Sequence, residues 1–157
     1  MTCCGCYGTT VITALTSQNT MGVQAVMPTP PEVVESQLRS VFADMRVCAV
    51  KTGMIPNAQV ARAIVHVLRD ERRKRILPIV CDPLMISTSG TPLMDADCIA
   101  VMRDELFPLC TLVTPNLPEA QVLGTLPHTP MLVKGGHAES DQMTDILTIP
   151  AEDLRRA

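Results

Sequence analysis

Short apolar runs rich in β-branched residues recur along this chain, and amphipathic stretches of helical period fill the intervals between them. That alternation constrains the fold more than any other feature, because strand–helix–strand repetition builds a parallel α/β sheet packed against helices. The strand-like runs are residues 9–15 (TTVITAL), read as a buried strand, 22–27 (GVQAVM), 49–52, Ile79–Cys81, 112–114, 131–134 and, last, 144–149. Three helices stand between them. In the first, Thr29 is placed to cap, Pro30 to take the first helical position and Glu32 to close a capping box; Val34, Leu38, Val41, Phe42 and Met45 form its inner face. Asn57 caps the second, whose inner face is Val60, Ala61, Ile64, Val65 and Leu68, and Asp95 caps the third, with Cys98, Ile99, Met102 and Leu106 inside. No internal repeat, low-complexity segment or domain boundary interrupts residues 1–157, which read as a single domain.

Composition narrows the function classes. With 46% hydrophobic and 18% charged residues the chain is not of the disordered type. Thirteen basic against sixteen acidic residues give a net charge of −3, and two Phe, one Tyr and no Trp offer no stacking platform, so a nucleic-acid partner is not expected. The richest apolar stretch, residues 76–85, contains two prolines and Asp82 and is far short of the ~18 residues of a membrane span. The first residues, MTCCGC, have neither a basic segment nor a long apolar one, so no signal peptide is read there and a soluble, cytoplasmic protein is expected. The basic cluster Arg72, Arg73, Lys74 and Arg75 suits the C-terminal end of a helix dipole better than a targeting signal.

Seven cysteines is an odd number, and free thiols in a reducing compartment are the expectation. Cys48, Cys81, Cys98 and Cys110 sit in apolar runs as small buried hydrophobes. Cys3, Cys4 and Cys6 lack a second Cys/His pair at ligand spacing, and His66, His128 and His137 are scattered, so a zinc site is not expected.

In open α/β sheets ligands bind beyond the carboxyl ends of the strands. The polar residues placed there are Gln18 and Asn19, Gly53-Met54, Asp82, Asn116 with Glu119, and Lys134 with Gly135-Gly136. Carboxylates able to hold a hydrated Mg²⁺, a lysine for phosphate oxygens and small residues for close approach are the equipment of phosphoryl transfer. No GxxxxGK[ST] segment is present, which excludes a P-loop kinase. A strand-end Asp or Asn also often caps the next helix, and that reading stands beside the functional one.

At these residues the chain resembles the hydroxymethylpyrimidine/phosphomethylpyrimidine kinases of thiamine biosynthesis, in the ribokinase-like superfamily. The matching blocks are GCYGTT running into VITALTSQNT, GVQAV, PPEVVESQLRSVFADM, AVKTGM, VCDPLM, TSG, LVTPNLPEA and LVKGGH, in family order over residues 5–137. The resemblance implies a partial ribokinase-like three-layer α/β fold, a mostly parallel sheet with helices on both faces, and an ATP- and Mg²⁺-dependent kinase. By resemblance, Gln18 hydrogen-bonds the aminopyrimidine, and Met54 and Leu84 pack around its ring, the latter where the family commonly has Val. Asp82 lies near Mg²⁺ and phosphates, Asn116 and Glu119 match the Asn-x-x-Glu motif that organises Mg²⁺ and its waters, and Lys134 faces the nucleotide phosphates. Cys6 falls on a family position in the GCYG turn.

Three departures accompany the resemblance. The chain starts after the family's glycine-rich GSDxSGGAG segment, and it ends without the GTGC-type loop that supplies the anion hole and activates the substrate hydroxyl, so no catalytic residue is assigned. Only twelve residues separate Glu119 from Leu132, where family members place a further helix; two prolines and a glycine exclude one here, and exposed apolar surface is expected nearby. An incompletely recorded gene is the expected origin of all three. Weak or absent turnover, marginal stability and a homodimer are further expectations. The alternatives are a pyridoxal or pyridoxamine kinase-like enzyme and a non-catalytic pyrimidine-binding relic.

Overall fold

The computed structural model describes residues 2–85, 94–136 and 143–151. Its chain order is β1 (Ala14–Asn19), β2 (Gly22–Pro28), α1 (Pro31–Asp44), β3 (Val50–Thr52), α2 (Ala58–Lys74), β4 (Ile79–Cys81), α3 (Ala96–Val101), β5 (Leu112–Val113), α4 (Leu117–Leu123), β6 (Met131–Val133) and β7 (Ile146–Thr148). A π-helical turn, Met102–Leu106, and a 3₁₀ turn, Phe107–Leu109, carry the chain from α3 toward β5. The sheet is five-stranded in the order β3-β4-β5-β6-β7. The steps from β3 to β6 are parallel, and β7 returns antiparallel on β6. A mostly parallel sheet packed with helices is thus the architecture, as the alternation predicts.

Each parallel step runs through one helix and moves in the same direction, so the right-handed crossover rule lays α2, α3 and α4 on one face. Strand alternation agrees: Thr52, Ile79, Cys81, Val113, Met131 and Val133 are buried. The residues between them, Lys51, Val80, Leu112 and Leu132, point the other way and are half-buried or exposed. Register aligns Lys51 with Val80, Val80 with Leu112 and Leu132 with Leu147. The second helical layer expected from the resemblance is not among the described residues.

The helices form where their sequences dictate. In α2, Asn57 accepts the Val60 N–H at 2.9 Å, and all five expected inner-face residues are buried. In α3, Asp95 caps through the Cys98 N–H at 2.7 Å. The basic end of α2 is absorbed locally: Arg72 donates to the Leu109 carbonyl, and the buried Glu71 pairs with Lys74 and Arg75. Those cations, Lys74 first, hold the Glu71 carboxyl below its ordinary value against the opposing effect of burial.

Four expectations are corrected. Helix α1 begins at Pro31, with Pro30 as N-cap and no side-chain cap hydrogen bond, so neither Thr29 nor Glu32 caps it. The tandem prolines decide this: Pro31 has the fixed φ of a first helical residue, and it forces Pro30 into extended backbone, pushing Thr29 outside. The run 9–15 is not a buried strand; β1 starts only at Ala14, where pairing with β2 begins. β1 and β2 do not join the parallel sheet but form a separate antiparallel hairpin. Cys48 is exposed, whereas Cys81, Cys98 and Cys110 are buried, and all seven cysteines are free. Burial pushes the Cys98 thiol up to about 11, in keeping with an unreactive hydrophobe. Beside the short interval after Glu119, Val122 is exposed, while Leu123 and Thr129 close over the core.

Candidate active site

Four of the expected site residues converge at the carboxyl ends of the parallel strands. Asp82 follows β4 directly, its N–H fixed by the Thr52 carbonyl at 3.0 Å. Lys134 follows β6; its N–H donates to the Pro115 carbonyl at 2.8 Å, and a backbone bridge pairs it with Asn116. From there its Nζ reaches past the end of β5 to Asp82 Oδ1 at 2.8 Å. By alternation Asp82 and Lys134 lie on the sheet face opposite α2–α4.

Asn116 and Glu119 make a reciprocal capping box at the start of α4. Asn116 Oδ1 accepts the Glu119 N–H and Glu119 Oε2 accepts the Asn116 N–H, both at 2.9 Å. The other carboxylate oxygen, Oε1, accepts the Met85 N–H at 3.2 Å, which ties the Asp82–Met85 turn to α4. Capping and convergence on the site are therefore properties of the same two residues. Glu119 is only 1% exposed and has no ion-pair partner among the described residues.

That last feature bears on Mg²⁺. A buried carboxylate with only two backbone donors is costly unless a cation comes near. No group of three or more metal-ligating side chains stands together among the described residues. Mg²⁺ does not need one, since it keeps several waters and uses one or two carboxylates plus substrate phosphates. In donor chemistry, Glu119, Asn116 and Asp82 are thus the kind of oxygen ligands that a hydrated Mg²⁺ uses.

A second group forms beside the first. Gly53 and Leu84 meet at the ends of β3 and β4, where a Cβ on Gly53 would stand 3.7 Å from Leu84 Cδ1, and Met54 follows Gly53 in the chain. The Met54 carbonyl accepts the Thr13 hydroxyl at 2.7 Å, which ties the base of the hairpin to this loop. Gly135 packs so closely on the segment before β7 that a Cβ would lie 2.2 Å from the Thr144 carbonyl oxygen, so only glycine fits.

Gln18 is not part of either group. With Asn19 it lies inside β1 rather than after a strand of the parallel sheet, and it is exposed without a side-chain hydrogen-bond partner among the described residues. A bulge falls at this point: Ser17 pairs with Ala25 but Gln18 pairs with Val23. Asn19 makes the turn instead, its Oδ1 accepting the Met21 and Gly22 N–H groups at 2.9 and 3.2 Å. The TSG block and His137 lie outside the described residues.

One residue of the cluster was assigned no role from the sequence. Lys51, in the middle of β3, places Nζ 3.3 Å from Asp82 Oδ2. The only signal for it is a lone cation in an otherwise uncharged strand within the AVKTGM block.

Comparison with known proteins agrees with this geometry. The family model described as phosphomethylpyrimidine kinase matches residues 1–130. The hydroxymethylpyrimidine/phosphomethylpyrimidine kinase of Escherichia coli is 38% identical over 162 residues, covering 91% of this chain and 60% of its own. The chain thus spans about three-fifths of that relative's length. Among solved structures, the phosphomethylpyrimidine kinase of Clostridium difficile superposes with a TM-score of 0.81 at 33% identity, covering 94% of this chain and 70% of its own. A Staphylococcus aureus pyridoxal kinase in complex with pyridoxal shares the fold, with a TM-score of 0.73 at 24% identity over 90% of this chain and 57% of its own. On the family match and the strand-end cluster together, this chain belongs to the phosphomethylpyrimidine kinase family.

Proposed function

We propose that this chain carries the pyrimidine- and phosphate-handling part of an ATP-dependent kinase acting on 4-amino-5-hydroxymethyl-2-methylpyrimidine and on its monophosphate, in thiamine diphosphate biosynthesis. The observation that carries the reading is the convergence of Asp82, Asn116, Glu119 and Lys134 at the strand ends. In this reading Gln18 hydrogen-bonds the aminopyrimidine, while Met54 and Leu84 form the apolar wall against its ring. Lys134, oriented by Asp82, neutralises the phosphates of ATP, and Glu119 with Asn116 holds the waters around Mg²⁺. Bound Mg²⁺ would supply charge neutralisation between phosphate oxygens as the γ-phosphoryl passes to the acceptor. The transfer forms a bond from the acceptor oxygen to the γ-phosphorus and breaks the bridge to the β-phosphate, with the hydroxyl proton leaving the first substrate. No residue of this chain is assigned to take that proton. The reading extends to a homodimer and to a reducing cytoplasmic setting, the second of which seven free thiols support.

Calorimetric titration of the 157-residue chain tests it. Hydroxymethylpyrimidine and Mg-ATP are expected to bind, pyridoxal more weakly, and Gln18→Ala to weaken the pyrimidine about tenfold while leaving ATP unchanged. Pyridoxal binding as tight as the pyrimidine, or no binding of either, would contradict the assignment. Retained pyrimidine affinity with no detectable phosphoryl transfer would favour a binding-only protein.

A further inference from the structure

Lys51 is a cation of the strand-end cluster that the proposed roles leave unused. Its side chain is 55% exposed on the sheet face opposite the helices. It shares Asp82 with Lys134: one ammonium stands 3.3 Å from Oδ2, the other 2.8 Å from Oδ1. The Asp82 side chain is only 16% exposed and is already compensated by the closer lysine. A half-exposed second pair adds little to stability, because water screens it and a long side chain must be held in one geometry. Two ammoniums held around one carboxylate also repel each other. The trio is left with one surplus positive charge, in a chain whose net charge is −3, so general basicity does not account for it. That surplus sits at the carboxyl ends of parallel strands, where open α/β sheets receive ligands. Concentrated positive charge over fixed carboxylate scaffolding is what an oxyanion requires, and lysine serves phosphate as a mobile point charge.

We propose that Lys51 and Lys134 form a two-lysine clamp for a phosphoryl group, with Asp82 as the shared carboxylate that keeps both ammoniums in place until the anion arrives. The proposal rests on the kinase reading and extends it by one binding residue. Lys51 belongs to the strand that runs into Gly53-Met54, which places its end of the clamp on the pyrimidine side; Lys134 closes the other end. The ligand is a phosphate oxyanion, and two sources carry one: the monophosphate of the pyrimidine and the phosphates of the nucleotide.

The test uses the full chain, with Lys51→Gln to remove the charge and Lys51→Arg to keep it, both checked for native circular dichroism. Each is titrated with inorganic pyrophosphate, ADP, hydroxymethylpyrimidine and hydroxymethylpyrimidine monophosphate. The expected result is a loss of about tenfold in affinity for pyrophosphate in Lys51→Gln, largely restored in Lys51→Arg, with unphosphorylated pyrimidine unchanged. A parallel loss for the pyrimidine monophosphate alone assigns the clamp to the substrate's phosphate, and a loss for ADP alone assigns it to the nucleotide. Either supports the clamp. Wild-type affinity of Lys51→Gln for every phosphate-bearing ligand would overturn it, as would an equal loss for unphosphorylated pyrimidine or a wild-type chain that binds no pyrophosphate. A wild-type chain that binds pyrophosphate but neither pyrimidine nor ADP would sink the kinase reading and leave the clamp to be judged on pyrophosphate.

Discussion

The hairpin β1–β2 and the sheet β3–β7 carry the two ends of the proposed site on very different foundations. From Cys3 to Val33 no residue is buried; the first buried side chain is Val34 in α1. The sheet and its helices, by contrast, hold a continuous core that includes Val34, Val60, Leu68, Ile79, Cys81, Met102 and Val113. The hairpin is anchored at its base by three kinds of bond: Thr13 to the Met54 carbonyl, Thr29 N–H to the Thr13 carbonyl, and Gln37 to the backbone of Ile12. Two strands without a packed face are marginal by themselves. The proposed phosphate end of the site is therefore built on the core, whereas Gln18 rides on an arm with few buried contacts and correspondingly low local stability. Under the proposed function that division has a use: the charged end needs fixed geometry, and the proposed pyrimidine end needs room to admit and cover its ligand.

Equivalent substitutions in the two regions sharpen the contrast. Leu68→Ala, at a fully buried position in α2, is expected to destabilise the chain by about 2–5 kcal/mol in urea unfolding. Glu119→Ala leaves the Met85 and Asn116 N–H groups without acceptors and is expected to cost about 3 kcal/mol, read by the same method. Asn57→Ala removes one cap from α2 and should cost about 1 kcal/mol, visible as a small shift of the unfolding midpoint. Leu15→Ala, in the hairpin and 55% exposed, should change global stability by less than about 0.5 kcal/mol. A hairpin substitution as costly as the Leu68 one would erase the distinction between the two regions.

The same division governed what the sequence could reveal. Helices α2 and α3, their Asn57 and Asp95 caps and strands β3–β6 were legible because each obeys a local rule: a 3.6-residue apolar period, a side-chain acceptor, a short β-branched run. The hairpin was misplaced because a β-branched run announces extended backbone but not its partner, and TTVITAL lies outside any sheet for most of its length. The start of α1 moved by one residue because the restriction that Pro31 places on Pro30 outweighs the preference of Thr29 for a cap. At Asn116 and Glu119 two readings competed, capping and site; the hydrogen bonds show the capping box and a tie to the Asp82–Met85 turn, and the site role stays part of the proposal. Lys51 stayed hidden because its meaning lies in a pairing between β3 and the end of β4, 31 residues apart in sequence.

Hydrogen exchange by mass spectrometry, with and without hydroxymethylpyrimidine, tests the central division most directly. Amides of Ala14–Asn19 and Gly22–Pro28 should exchange far faster than those of Ile79–Cys81 and Leu117–Leu123 in the free chain, and should slow on adding the pyrimidine. Equal protection of both regions in the free chain, or a hairpin that stays fast when the pyrimidine is bound, would contradict the account.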